Sequence, residues 1–222
     1  MKKISIFALK GLLAGISIAF GGILFLIAMT YIPSPYNKFV GAILFPIGLS
    51  IVCYFSLLLF TGKIGLIFEK KQDNDFYVSL PIMYIFNIIG SFIIGAICYL
   101  LLKNTDIYLK VLNVASNKIN FINPNSYFDL FIKAFLCGLC VYLAVRYYFF
   151  LKNKILKFVA IFIFISFFVY MGYEHCIANA FYFAFAMPYN PSYLINIIIV
   201  TLGNIIGTIP GVILFKGLGY TK

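Results

Sequence analysis

Glu174 and the chain's only histidine, His175, stand side by side in an otherwise apolar run, VYMGYEHCIANAFYF over 169–183, with Asn179 one helical turn further on. Imidazole has an unperturbed pKa of about 6.5, nearest of all side chains to physiological pH, so this set can exchange protons and hydrogen-bond a small polar guest. A zinc centre is excluded, because one histidine and scattered thiols cannot supply three ligands. An intramembrane enzyme using the H-x-x-x-N spacing of His175 and Asn179 would need a glutamate pair and a second histidine, and neither is present. Two readings remain: a polar station on a path through a membrane, since ionisable groups there are costly and usually functional, or a tie between helices.

The elements that must hold these residues are membrane spans. Of 222 residues, 64% are hydrophobic and 10% charged, which excludes a water-soluble domain. Apolar runs of about 20 residues number six: 7–32, 39–68, 78–102, 127–151, 158–186 and 194–215. The chain reads as a single transmembrane domain over 1–222, with a first half 1–103, an extracytoplasmic connection 104–126 and a second half 127–222. The first span is too long for a signal-peptide core and no A-x-A site closes it.

The formal net charge of +11 does not signal nucleic acid, because the cations sit between spans, where they report topology. Lys2, Lys3, Lys70, Lys71, Lys152, Lys154, Lys157 and Lys222 fall on one side, which places both termini in the cytoplasm of a multi-pass cell-membrane protein. The five cysteines fall within spans, and Cys137-x-x-Cys140 has no second pair to make a metal or redox site. No cofactor is expected.

FNIIGSFIIGAI in the third span and GNIIGTIPGVIL in the sixth share N-I-I-G-[ST] at Asn87 and Asn204, and KGLLAG and KAFLCG open the first and fourth spans at Lys10 and Lys133. A repeat of three spans must cross the membrane in opposite senses, the inverted arrangement of many transporters. The second span of each half carries a polar interruption, LLLFTGKIG over 57–65 and GYEHCIAN over 172–179, as expected where unwound backbone lines a cavity. The offset that superposes Asn87 on Asn204 sets Leu58 opposite His175. The predicted fold is therefore all-α, with three plus three spans and broken second and fifth helices.

GYEHCIANAFYFAFAMP, LFTG and VTLGNIIG together resemble the formate/nitrite transporter family, which includes hydrosulfide and lactate channels. The resemblance implies an aquaporin-like fold of six spans, assembled as a homopentamer with one pore per protomer. It implies roles by position: Leu59 as a constriction, Thr61 as hydrogen-bond partner of His175, Phe45, Leu49 and Phe168 as apolar slits, Asn204 as a polar pore residue and Lys118 as a vestibule cation. The chain departs from the family pattern at Leu58, where an acid is usual, at Lys63 in place of asparagine, and at Gly138 in place of asparagine.

Moving a bare carboxylate-sized anion into a dry constriction costs on the order of 20 kcal/mol in the idealised limit, and Phe45, Leu49, Leu59 and Phe168 offer no compensating charge. A weak acid avoids that cost by crossing neutral. The expected function is passage of small monovalent weak-acid anions such as formate, nitrite or hydrosulfide through the bilayer, with protonation near His175. The alternative is an aquaporin-like pore for neutral solutes, although the chain has no N-P-A motif and its one arginine, Arg146, lies at a span end.

Overall fold

A computed structural model describes residues 2–120 and 125–219, so Lys222 and residues 121–124 of the 104–126 connection lie outside the described residues. The described residues form helices and their connections: α1 (Lys2–Tyr31), α2 (Tyr36–Leu44), α3 (Pro46–Tyr54), α4 (Phe60–Lys63), α5 (Leu66–Glu69), α6 (Asn74–Leu102), α7 (Asp106–Lys118), α8 (Asn125–Phe150), α9 (Lys154–Met171), α10 (Cys176–Phe185), α11 (Ser192–Ile206) and α12 (Thr208–Gly217). Six stretches are long and apolar enough to cross a membrane: Lys3–Tyr31, Tyr36–Tyr54, Asn74–Leu102, Ser126–Phe150, Lys154–Met171 and Ser192–Gly217. They follow the expected order. The second and fifth are shorter than expected because the chain leaves the helix after Tyr54 and after Met171.

Local chemistry explains these ends. Asn153 and Asp73 cap α9 and α6 by accepting backbone N–H bonds with their side chains. Gly172 takes φ +77° and closes α9 by donating back to Phe168 and Val169, a left-handed cap that glycine adopts without strain. Pro46 and Pro210 lack the N–H that would continue a helix, and α2–α3 and α11–α12 divide at Phe45 and Gly207.

The first interruption sits a little upstream of the polar cluster expected to cause it, and the second contains Glu174 and His175. Thr61, Gly62 and Lys63 are helical, in α4, and the unwound backbone is Phe55–Leu59, with Ser56 at φ +51°. In the second half 172–175 is unwound, while Cys176 and Asn179 already belong to α10. Thr61 and Asn179 lie in the first turn of the helix after each break, where the leading N–H groups need side-chain partners.

The halves repeat one pattern of contacts. α1 packs on α6 as α8 packs on α11, and the breaks lie between. Leu58 N–H donates to Lys10 O and Glu174 N–H to Lys133 O, each at 3.4 Å. A Cβ on Gly15 would land inside contact distance of the Asn87 carbonyl, and one on Gly138 would do the same to Asn204, so each glycine lets two helices touch backbone to backbone. The expected register is corrected by one residue: Leu59, not Leu58, is the counterpart of His175, because each is the extended residue at the N-cap of its short helix. From break to asparagine the chain runs one residue longer in the second half.

The start of α1 and the start of α6 share a face through the Lys3–Asp75 ion pair of 2.6 Å. Lys118 and Glu174 mark the opposite face, as does Tyr108, which donates to Met187 O. Ile85, Ile93, Leu100, Ile163 and Ile198 point outward, as lipid or a neighbouring subunit requires.

Candidate functional site: two helix breaks and a string of cavities

His175 is held by both halves. Its Nδ1 accepts the Ala178 N–H at 3.3 Å, so it caps α10 with its own ring, and Nε2 lies 2.8 Å from Thr61 Oγ1 on α4. The cap requires Nδ1 to be unprotonated, so a ring held this way carries its proton on Nε2 and donates it to Thr61. The imidazole is 3% exposed and lies over Phe168, the rings inclined by 29° with centroids 6.2 Å apart.

The backbone at the break is satisfied by Asn204. Its Nδ2 donates to Ala134 O and Glu174 O, both at 2.8 Å, and its Oδ1 accepts the Cys176 N–H at 3.0 Å. Asn87 does the same for the other break, donating to Gly11 O and Leu58 O and accepting from Phe60 N–H, all at 2.8 Å. Asn204 thus lines none of the three cavities described below, and its side chain is spent on backbone groups. Asn87, singled out only as a repeat marker, has the matching structural task.

Glu174 points away from the ring. Its Oε2 accepts from Lys118 Nζ at 2.7 Å and from Asn179 Nδ2 at 2.7 Å, and Asn179 also donates to Asn196 Oδ1 at 2.8 Å. Asn196 returns to the Lys118 carbonyl. Lys118 is therefore paired rather than a free vestibule cation. Asn179 Oδ1 is buried and has no protein partner, which leaves one acceptor available to water or a guest.

Three cavities follow one another past these residues. A vestibule of about 320 Å³ is lined by Lys38, Lys118, Lys133, Glu174 and Asn179 and ends at Phe45, Phe168 and His175. Phe45 and Phe168 meet edge to face, with centroids 6.0 Å apart, and separate it from a chamber of about 10 Å³, the size of a single water site. The chamber is lined by Ile18, Leu49, Val141 and Ile165, with His175 as its one polar wall among the described residues. Leu59, 2% exposed, separates it from a narrow inner passage reaching Lys63 and Phe149. Of the residues expected on a path, Phe45, Leu49, Leu59, Phe168, His175, Glu174, Asn179 and Lys118 line these cavities, and Thr61 stands behind the ring. Ile18, Val141 and Ile165 were not anticipated, and nothing in their local sequence sets them apart from other span residues; Lys38, between the first two spans, and Lys133, noted only for the repeat, carry charges that could have marked them.

Comparison with known proteins decides the family. The model of the formate/nitrite transporter family matches residues 1–218. The chain belongs to that family. Its membership places it among membrane transporters and gives the neutral-solute alternative no support. An uncharacterized transporter of Bacillus subtilis (strain 168), YrhG, is 29% identical over 242 residues, covering 100% of this chain and 89% of the relative. A probable formate transporter of Methanothermobacter thermautotrophicus is 29% identical over 226 residues, covering 88% and 81%. Among solved structures, a pentameric formate channel with formate bound superposes with a TM-score of 0.85 at 23% identity, covering 100% of this chain and 99% of that one. An FNT family ion channel gives 0.75 at 26% identity, covering 96% and 88%. The fold of this family member is thus the six-span, doubly broken fold of those channels.

Proposed function

We propose that this transporter carries a small monovalent weak-acid anion, of the size of formate, nitrite or hydrosulfide, across the cytoplasmic membrane, and that the acid crosses the apolar slits in its neutral form. The observation that carries the reading is the chamber between Phe45, Phe168 and Leu59, which is closed by apolar side chains on both sides and has His175 as its polar wall. A bare anion would lose nearly all its hydration there without gaining a counter-charge. A neutral acid loses far less, and the His175 ring offers it a polar partner.

The proton is delivered at the vestibule end. An imidazolium formed by uptake of a proton at Nδ1 breaks the Ala178 cap, and passing that same proton on to the anion returns the ring to its neutral Nε2–H form and remakes the cap. Water held at the ring can relay the same transfer. Lys38 and Lys133, together with the paired Lys118, leave the vestibule net positive and raise the local anion concentration. Lys3, Lys70, Lys71, Lys152, Lys154 and Lys157 support a cytoplasmic location for the face opposite the vestibule and for both termini. The likeness to a pentameric formate channel supports a homopentamer with one path per protomer.

Stopped-flow uptake of formate, nitrite, hydrosulfide and lactate into proteoliposomes tests this, with wild type and His175→Asn compared across external pH. Saturable, pH-dependent flux of at least one anion, altered by the substitution, is expected. Absence of flux for all four by correctly assembled protein would overturn the proposal.

A further inference from the structure

We propose that Lys63 forms an inner anion site, a fixed cation that holds the transported monoanion at the mouth opposite the vestibule. The inference rests on the transport reading and adds to it a station beyond Leu59. Lys63 is the last residue of α4, two positions after the Thr61 that meets His175. It stands where the family motif carries asparagine, so its charge is a feature of this chain.

The inner passage is lined by Val52, Cys53, Leu57, Leu59, Val145 and Phe149, and Lys63 is its one charged residue among those described. Its ammonium lies 5.1 Å from the Phe149 ring centroid, a cation–π contact that orients the charge without neutralising it. Among the described residues no carboxylate is within ion-pair distance of Lys63, whereas Lys118 is paired with Glu174 and Arg146 with Glu69. Lys63 also lines a wider cavity of about 320 Å³ that reaches Gln72, Asp73 and Asp75. Both of those carboxylates are engaged, Asp75 with Lys3 and Asp73 with the Phe76 N–H at the cap of α6.

An uncompensated cation between low-dielectric walls focuses counter-ions. An acid leaving the chamber neutral past Leu59 meets this cation first. Its acidic bond to hydrogen breaks there, the proton passes to water in the inner cavities, and the anion is held by the ammonium until it diffuses away. In the opposite direction the same charge collects the anion from the inner side before it is reprotonated.

The test uses full-length protein inserted in one orientation in proteoliposomes, with formate as probe and anion concentration varied on one side at a time. Lys63→Asn and Lys63→Gln are expected to raise the half-saturating inner concentration about tenfold, and Lys63→Glu more. Lys63→Arg should stay near wild type, and the outer half-saturation should be unmoved in every variant. Added inner salt should weaken half-saturation in wild type and leave the neutral variants unchanged. Equal inner half-saturation in wild type and both neutral variants, or an equal change on both sides, would overturn the inference while leaving the transport reading intact. A wild type that carries neither formate nor the other test anions would remove both together.

Discussion

Asn87 and Asn204 hold the two halves of the fold by the same three bonds: each amide donates to a carbonyl on the first helix of its half and to one in the break, and accepts the first N–H of the short helix that follows. Each is fully buried. Without them two backbone groups of each break, Leu58 O and Phe60 N–H in one and Glu174 O and Cys176 N–H in the other, would face an apolar interior unpaired.

Asn87→Ala and Asn204→Ala should therefore each destabilise the protein by about 1–3 kcal/mol per orphaned group. Thermal loss of the assembled species, followed by size-exclusion chromatography, should occur at lower temperature for both. Asn204→Ala should also lower flux, because Glu174 and His175 sit on the backbone it secures. An unchanged midpoint would mean that water reaches the breaks.

Thr61→Val keeps the volume of the side chain and removes the acceptor of the His175 Nε2 proton. A cost of about 1–3 kcal/mol is expected, with slower flux as the ring loses its orientation. Thr61→Ser should recover both. Stability and flux measured on the same preparations distinguish a role in orienting the ring from simple packing.

Phe45→Ala removes one edge of the outer slit. Formate flux should rise or hold, while lactate, excluded or slow in wild type, should gain most, so the ratio of the two rates should fall severalfold. An unchanged ratio would place selectivity elsewhere, with Leu59 the next position to test.

Lys118→Ala and Glu174→Gln should move uptake in opposite directions at low outer anion concentration. The first leaves a carboxylate uncompensated beside the vestibule and repels the substrate; the second releases a cation. The effects should shrink with added salt, and the double variant should lie between them. Breaking this largely buried pair from either side also costs stability, up to about 3–5 kcal/mol, which thermal assembly measurements would report separately.

Much of this arrangement was legible in the sequence because the bilayer imposes strict rules. Apolar runs gave the six spans, and polar residues inside two of them marked the broken helices. N-I-I-G-[ST] exposed the repeat, but not its register at the breaks, since one extra residue lies between His175 and Asn204 compared with Leu59 and Asn87. The Lys118–Glu174 pair joins residues 56 apart, and no periodicity announces such a contact. Nor could spacing tell that Asn204 serves the backbone while Asn179 and His175 face a cavity. All three are buried amide or imidazole positions in apolar surroundings, and only the tertiary arrangement decides which way each side chain turns.

The central claim, that the acid crosses neutral past His175, is tested most directly by recording anion uptake and proton movement together in voltage-clamped proteoliposomes. One proton should enter with each anion, uptake should be insensitive to membrane potential, and its rate should increase as external pH falls, because protonation precedes the slit. An anion current that scales with potential and carries no proton would contradict the account.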